Sequence, residues 1–141
     1  MDEIESMGLT QLLWRRCASR ALRGYAISYS QLQLIQLARR RGAIILSAAA
    51  AELYWDRPTT TLVARKCLEH CWLSLKRSRE DRRSFTIALT GQGEELLDRL
   101  EAARVLSAES LGDPLDVLDS GERAELRRML DKILRRAEDV L

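Results

Sequence analysis

Midway along the chain, residues 78–93 read SREDRRSFTIALTGQG and change character within a few positions. Three arginines and two acids crowd between Arg79 and Arg83. A strict alternation follows, with Phe85, Ile87 and Leu89 on one side and Ser84, Thr86 and Ala88 on the other. Period-two alternation marks a strand with one face against a core. Just upstream, Leu73 and Leu75 alternate with Ser74 and Lys76, Leu73 and Leu75 pointing inward. The two runs pair naturally as an antiparallel ribbon whose tip is the charged turn, and Phe85, Ile87 and Leu89 should anchor it. Such a ribbon needs helices to cover its apolar face.

Helical spacing supplies them. Leu9, Leu12, Leu13, Ala18 and Leu22 recur on one face of a first helix over 9–25, ended by Gly24. Ser28 and Gln31 form a capping box for a second, which Gly42 stops after Arg39, Arg40 and Arg41. AIIL is a short extended bridge, and SAAAAEL a short third helix with Ser47 as its expected N-cap. Its four alanines allow another helix to pack close. In the fourth helix, DRPTTTLVARKCLEHC, Asp56 is the cap and Pro58 fits the first turn. Thr60, Val63, Ala64, Cys67 and Cys71 should face inward. Thr90 caps a fifth helix over 91–111, with Leu96, Leu97, Leu100, Ala103 and Leu111 on its apolar side. GDPLDVL interrupts it. Asp119 and Glu122 then box the start of a last helix, whose stripe of Leu126, Met129, Leu130, Ile133, Leu134, Ala137 and Val140 runs on to Leu141.

The 141 residues are enough to bury a core without disulfides or metals. No apolar run approaches the length of a membrane span, and the acidic start MDEIESMG lacks the order of a signal peptide. Cytoplasm is the expected compartment. Three cysteines in no regular framework suit reduced thiols there. Net charge is only +2, but residues 39–83 hold eleven basic and five acidic groups, and residues 84–141 hold eight basic and thirteen acidic. A basic middle beside an acidic last third points to a localised polyanion-binding surface.

The element order therefore predicts a mainly α protein with a small β-ribbon. A short helix, a tight turn and a longer helix make a helix-turn-helix, and the charged ribbon after it makes a wing. The fourth helix suits a DNA major groove, where Arg57, Thr59, Thr61 and Arg65 can reach base edges beside Pro58. The ribbon tip can carry Arg79, Arg82 and Arg83 to phosphates or the minor groove. Asp81 is expected to pair with a wing arginine and hold it extended.

At these residues the chain resembles the multiple-antibiotic-resistance regulator (MarR) family of winged-helix transcription factors. DRPTTTLV matches the start of the family's reading helix. DRRSFTIALTGQG fits its D-x-R-x(5)-L-T-x-x-G signature through Asp81, Arg83, Leu89, Thr90 and Gly93. The chain departs from the pattern where Cys67 and Cys71 replace a Leu-x-x-x-Gly, and where Leu75 replaces a common basic residue.

The resemblance implies a winged-helix core over 28–89, with 1–27 and 90–141 as dimerisation helices of a single domain. It also implies a homodimeric repressor on double-stranded DNA, with a pseudo-palindromic operator. A small aromatic effector is implied near Trp14, Tyr25 and Tyr29, which otherwise are plain packing residues. Two rivals remain: a winged helix turned protein-binding module, and a thiol-responsive regulator working through Cys17, Cys67 or Cys71. No enzyme signature, cofactor loop or metal-ligand spacing is present; one histidine, His70, cannot supply a metal triad.

Overall fold

The computed structural model describes residues 1–80, 83–105 and 115–141. They form two compact units, Met1–Leu106 and Ser107–Leu141. Six α-helices and one three-stranded sheet are found among the described residues.

In the first unit, α1 spans Glu3–Leu22. It begins earlier than the apolar spacing predicts because Asp2 and Glu5 form a capping box, with 2.8 and 3.1 Å bonds. Only Ala18 and Leu22 are buried on it; Leu9, Leu12 and Leu13 stand exposed. A 3-10 turn over Arg23–Tyr25 leads to α2, Tyr29–Arg41, which opens with the expected Ser28–Gln31 box. Leu32, Leu34, Ile35, Leu37 and Ala38 of α2 are the centre of the core.

After Gly42 comes β1, Ile44–Ile45, which runs straight into α3, Leu46–Leu53. Ser47 is therefore not the N-cap: the strand hands its last residue, Ile45, directly to the helix, and no side-chain cap forms. Ala49 and Ala50 are buried, as the alanine run suggests. Tyr54 ends the helix in the left-handed region and is exposed, whereas Trp55 packs on the core.

α4 spans Arg57–Glu69, with Asp56 as cap and Pro58 in the first turn. Thr60, Val63, Ala64 and Cys67 are buried as expected, but Cys71 is not on this inner face. The helix has already ended. Cys71 is exposed at φ 61°, its amide bonded to the Leu68 carbonyl and that of Trp72 to Cys67, each at 3.0 Å. This is a Schellman closure with cysteine in glycine's usual place.

β2, Leu73–Arg77, and β3, Phe85–Leu89, pair antiparallel, Leu75 opposite Ile87 and Arg77 opposite Phe85. β1 joins the other edge of β3, Ile44 opposite Ile87, so the wing ribbon is rooted in a sheet of order β1-β3-β2. Leu73 and Ile87 are buried, and Leu89 packs on the core. Leu75 and Phe85 are exposed instead: Leu75 stands on the edge strand β2 opposite the buried Ile87, and Phe85 lies beyond Ile87 toward the tip.

α5 spans Gly91–Ala102, capped by Thr90. It stops short of the predicted end at 111: Arg104 turns left-handed, and Val105 folds back with its amide on the Leu100 carbonyl, burying its side chain. Leu96, Leu97 and Leu100 are buried, but Ala103 is exposed, and Leu111 lies outside the described residues.

The second unit is dominated by α6, Ser120–Val140, opened by the Asp119–Glu122 box at 2.8 and 3.0 Å. No residue of α6 is buried, although Met129, Leu130, Ile133 and Leu134 line one side of it. No helix among the described residues is long and apolar enough to cross a membrane.

Candidate nucleic-acid interface

The outer side of α4 is set by its inner one. With Thr60, Val63, Ala64 and Cys67 committed to the core, Arg57, Pro58, Thr59, Thr61, Leu62 and Arg65 face solvent. Pro58, Thr61, Leu62 and Arg65 follow the i, i+3, i+4, i+7 spacing of one helical stripe, and with Arg57 they line a shallow hollow of ≈ 380 Å³. The start of the stripe is held by Asp56, whose carboxylate accepts the Thr59 amide at 2.7 Å. That backbone bond, helped by the Thr59 hydroxyl, holds the Asp56 carboxyl below its ordinary value. Thr60 turns inward and donates its hydroxyl to the Asp56 carbonyl at 2.8 Å.

The base of the wing meets this helix. Arg83, Ser84 and Phe85 line a groove of ≈ 410 Å³ together with Arg57, Thr61 and the start of α3. Helix and ribbon thus offer guanidinium groups and hydroxyls to one shared concavity. Arg79 is placed elsewhere, in a hollow beside Lys76, Arg77 and Glu80. Asp81, its expected arginine pairing, and Arg82 lie outside the described residues. Sequence reasoning passed over Leu62 and Arg77. Leu62 was findable one turn beyond Pro58. Arg77 was findable as the cross-strand partner of Phe85, over whose ring its guanidinium sits at 5.7 Å.

The signature residues behind the wing are structural. The Thr90 hydroxyl donates to the Cys71 carbonyl and accepts the Gly93 amide at 3.1 Å, while the Thr90 amide donates to the Trp72 carbonyl at 3.0 Å. Gly93 is buried where a side chain would overlap the Trp72 carbonyl and the Leu89 side chain.

Of the aromatic residues, Trp14 and Tyr29 come together: the indole N–H donates to the Tyr29 hydroxyl at 3.5 Å. Arg15 lies 5.6 Å over the Tyr29 ring and donates to Ser30 at 2.9 Å. Tyr25 stands apart from that pair with Arg99 5.7 Å over its ring, and both tyrosines pack on the core. Across the fold, Arg39 of α2 reaches three carboxylates of α5, Asp98 at 3.3 Å, Glu94 at 3.5 Å, and Glu101.

The thiols differ. Burial pushes the Cys67 thiol up to about 12, which leaves it protonated and a poor nucleophile near neutral pH. Cys71 is exposed and Cys17 half-buried. His70 stacks flat on Trp72, ring centres 4.3 Å apart. No three His, Cys, Asp or Glu side chains cluster as a metal site among the described residues.

No protein-family model matches the chain. No curated protein matches it either. Solved structures do. A cysteine-to-serine mutant of MarR from E. coli, complexed with operator DNA, superposes with a TM-score of 0.80 at 17% identity, covering 95% of this chain and 99% of that one. A MarR transcriptional regulator from Methanosarcina mazei gives 0.80 at 21% identity, over 97% and 99%. Bordetella bronchiseptica BpsR, described for the regulation of its DNA binding by 6-hydroxynicotinic acid, gives 0.74 at 18%, over 92% and 98%. Superposing on these proteins along nearly its whole length, the chain has the winged-helix fold of the MarR regulators.

Proposed function

We propose that the chain is a sequence-specific, DNA-binding transcriptional regulator, working as a homodimeric repressor on a pseudo-palindromic operator. The observation that carries this reading is the shared concavity. Arg57 and Thr61 of α4 and Arg83 of the wing converge on one groove, and the Pro58–Arg65 stripe continues from it. A helix fits the major groove, and an adjoining cationic ribbon fits phosphates or the neighbouring minor groove. The operator complex of the similar E. coli protein supports it. Two such helices in a dimer call for half-sites about one helical turn apart. The exposed apolar stripes of α1 and α6 suit a second copy better than water.

An aromatic effector is the natural signal, as the similar BpsR suggests, with Trp14, Tyr25 and Tyr29 near its site. The test is selection of bound duplexes from random DNA. Enrichment of a pseudo-palindrome is expected. Arg65→Ala should relax preference at one base position per half-site and weaken specific binding by about 1–3 kcal/mol if Arg65 reads a guanine edge. Absence of any enriched sequence would refute the reading.

A further inference from the structure

We infer that Leu62 is a specificity-determining residue that reads the 5-methyl group of a thymine; this rests on the DNA-binding reading above. A single exposed leucine is ordinary on a protein surface. The position of this one is what matters. Leu62 is 51% exposed at the centre of the stripe that runs Pro58, Thr61, Leu62, Arg65, and it lines the same hollow as Arg57 and Arg65. The core face of α4 is made by Thr60, Val63, Ala64 and Cys67, so Leu62 has no packing duty there.

The stripe covers about 10 Å of helix axis, the span of roughly three base-pair steps. Its chemistry is uneven: an apolar ring at one end, a leucine in the middle, a guanidinium at the other. Phosphates cannot use the leucine, and polar base edges are left short of partners beneath it. The one apolar group exposed on a base edge in the major groove is the thymine methyl. Leu62 over that methyl, with Arg65 one turn-fraction further along, specifies a thymine followed within a step or two by a guanine. Arg65 supplies the hydrogen bonds and Leu62 the shape.

The experiment uses the full chain and its selected duplex. Each thymine is replaced singly by uracil, which lacks only the 5-methyl group. Wild-type protein should lose about fourfold in affinity at one thymine per half-site, the value of one buried methyl. Leu62→Ala should bind thymine and uracil equally there, yet keep its preference at guanine positions and unfold at the wild-type temperature. If Leu62→Ala binds too weakly to titrate, Leu62→Val decides: its thymine-to-uracil ratio should fall below wild type, and an undiminished ratio overturns the inference. An enriched operator with no thymine sensitive to uracil, or a Leu62→Ala protein that keeps the full ratio, overturns the role of Leu62 while leaving DNA binding intact. Failure to enrich any DNA overturns both.

Discussion

Cys67 and Cys71 stand one helical turn apart and in opposite surroundings: Cys67 is fully buried in the core, and Cys71 is exposed just past the end of α4. Their behaviour should differ accordingly. Burial raises the Cys67 thiol from 9.0 to about 12. Below pH 9 both folded and unfolded chains keep this proton, so it contributes no pH dependence. Between 9 and about 12 the unfolded chain releases it and the folded chain does not, so stability falls as pH rises, by at most about 1.4 kcal/mol per pH unit. Urea unfolding across that window should show a steeper decline for wild type than for Cys67→Ala. Parallel slopes would mean the thiol is not held in its buried state.

Cys71 carries a backbone cost. At φ 61° a side chain crowds the following carbonyl, and glycine does not. Cys71→Gly should raise stability by about 0.5–1 kcal/mol, the relief being partly offset by the freer unfolded chain. Chemical denaturation with an unchanged slope is the check. A destabilised variant would show that the thiol makes a contact worth more than the strain.

Gly93→Ala should act the other way. The added methyl meets the Trp72 carbonyl, a backbone atom that cannot swing aside. A loss of about 1–3 kcal/mol is expected, visible as a lower melting temperature. Retention of wild-type stability would show that β3 and α5 can part without cost.

At the wing, Arg83→Ala should weaken specific and non-specific DNA binding alike and lower the salt slope by about one unit. If Asp81 pairs with a wing arginine as expected from the sequence, Asp81→Ala should also weaken binding, although it removes a negative charge. Titrations at several salt concentrations decide the sign. Tighter binding by Asp81→Ala at every one of them would make that acid a mere source of repulsion.

The apolar side of α6 should hold two copies together. Met129, Leu130, Ile133 and Leu134 are each between 42% and 48% exposed, at helical spacing. Ile133→Glu with Leu130→Glu should shift sedimentation from dimer to monomer and reduce DNA affinity. A dimer that survives both charges would put the contact elsewhere.

Four helix starts were legible because capping is local chemistry, whereas the Asp2–Glu5 box of α1 and the uncapped start of α3 were not. Ser28 with Gln31, Asp56 with Pro58, Thr90, and Asp119 with Glu122 each act within three residues, and each stands where its type and spacing predict. Most helix ends were not legible, the stop of α2 at Gly42 excepted. α3, α4 and α5 close on Tyr54, Cys71 and Arg104 in the left-handed region, where glycine is the expected signal. What fixes them is the residue after: Trp55, Trp72 and Val105 turn back onto the core and pull their helices shut. The exposure of Leu75 and Phe85 was hidden for a related reason, since alternation shows which face a residue shares but not how far the core extends beneath it. On the outer side of α4, charge drew attention to the arginines, and the uncharged Leu62 among them was given no role.

Thr90 joins three things at one point: the backbone just past α4, the root of β2 through Trp72, and the first turn of α5. Gly93 removes the clearance that a looser joint would need. Mechanically this is a rivet. Rotation of α5 is thereby coupled, through one hydroxyl and one close contact, to the C-terminal end of α4 and the root of β2.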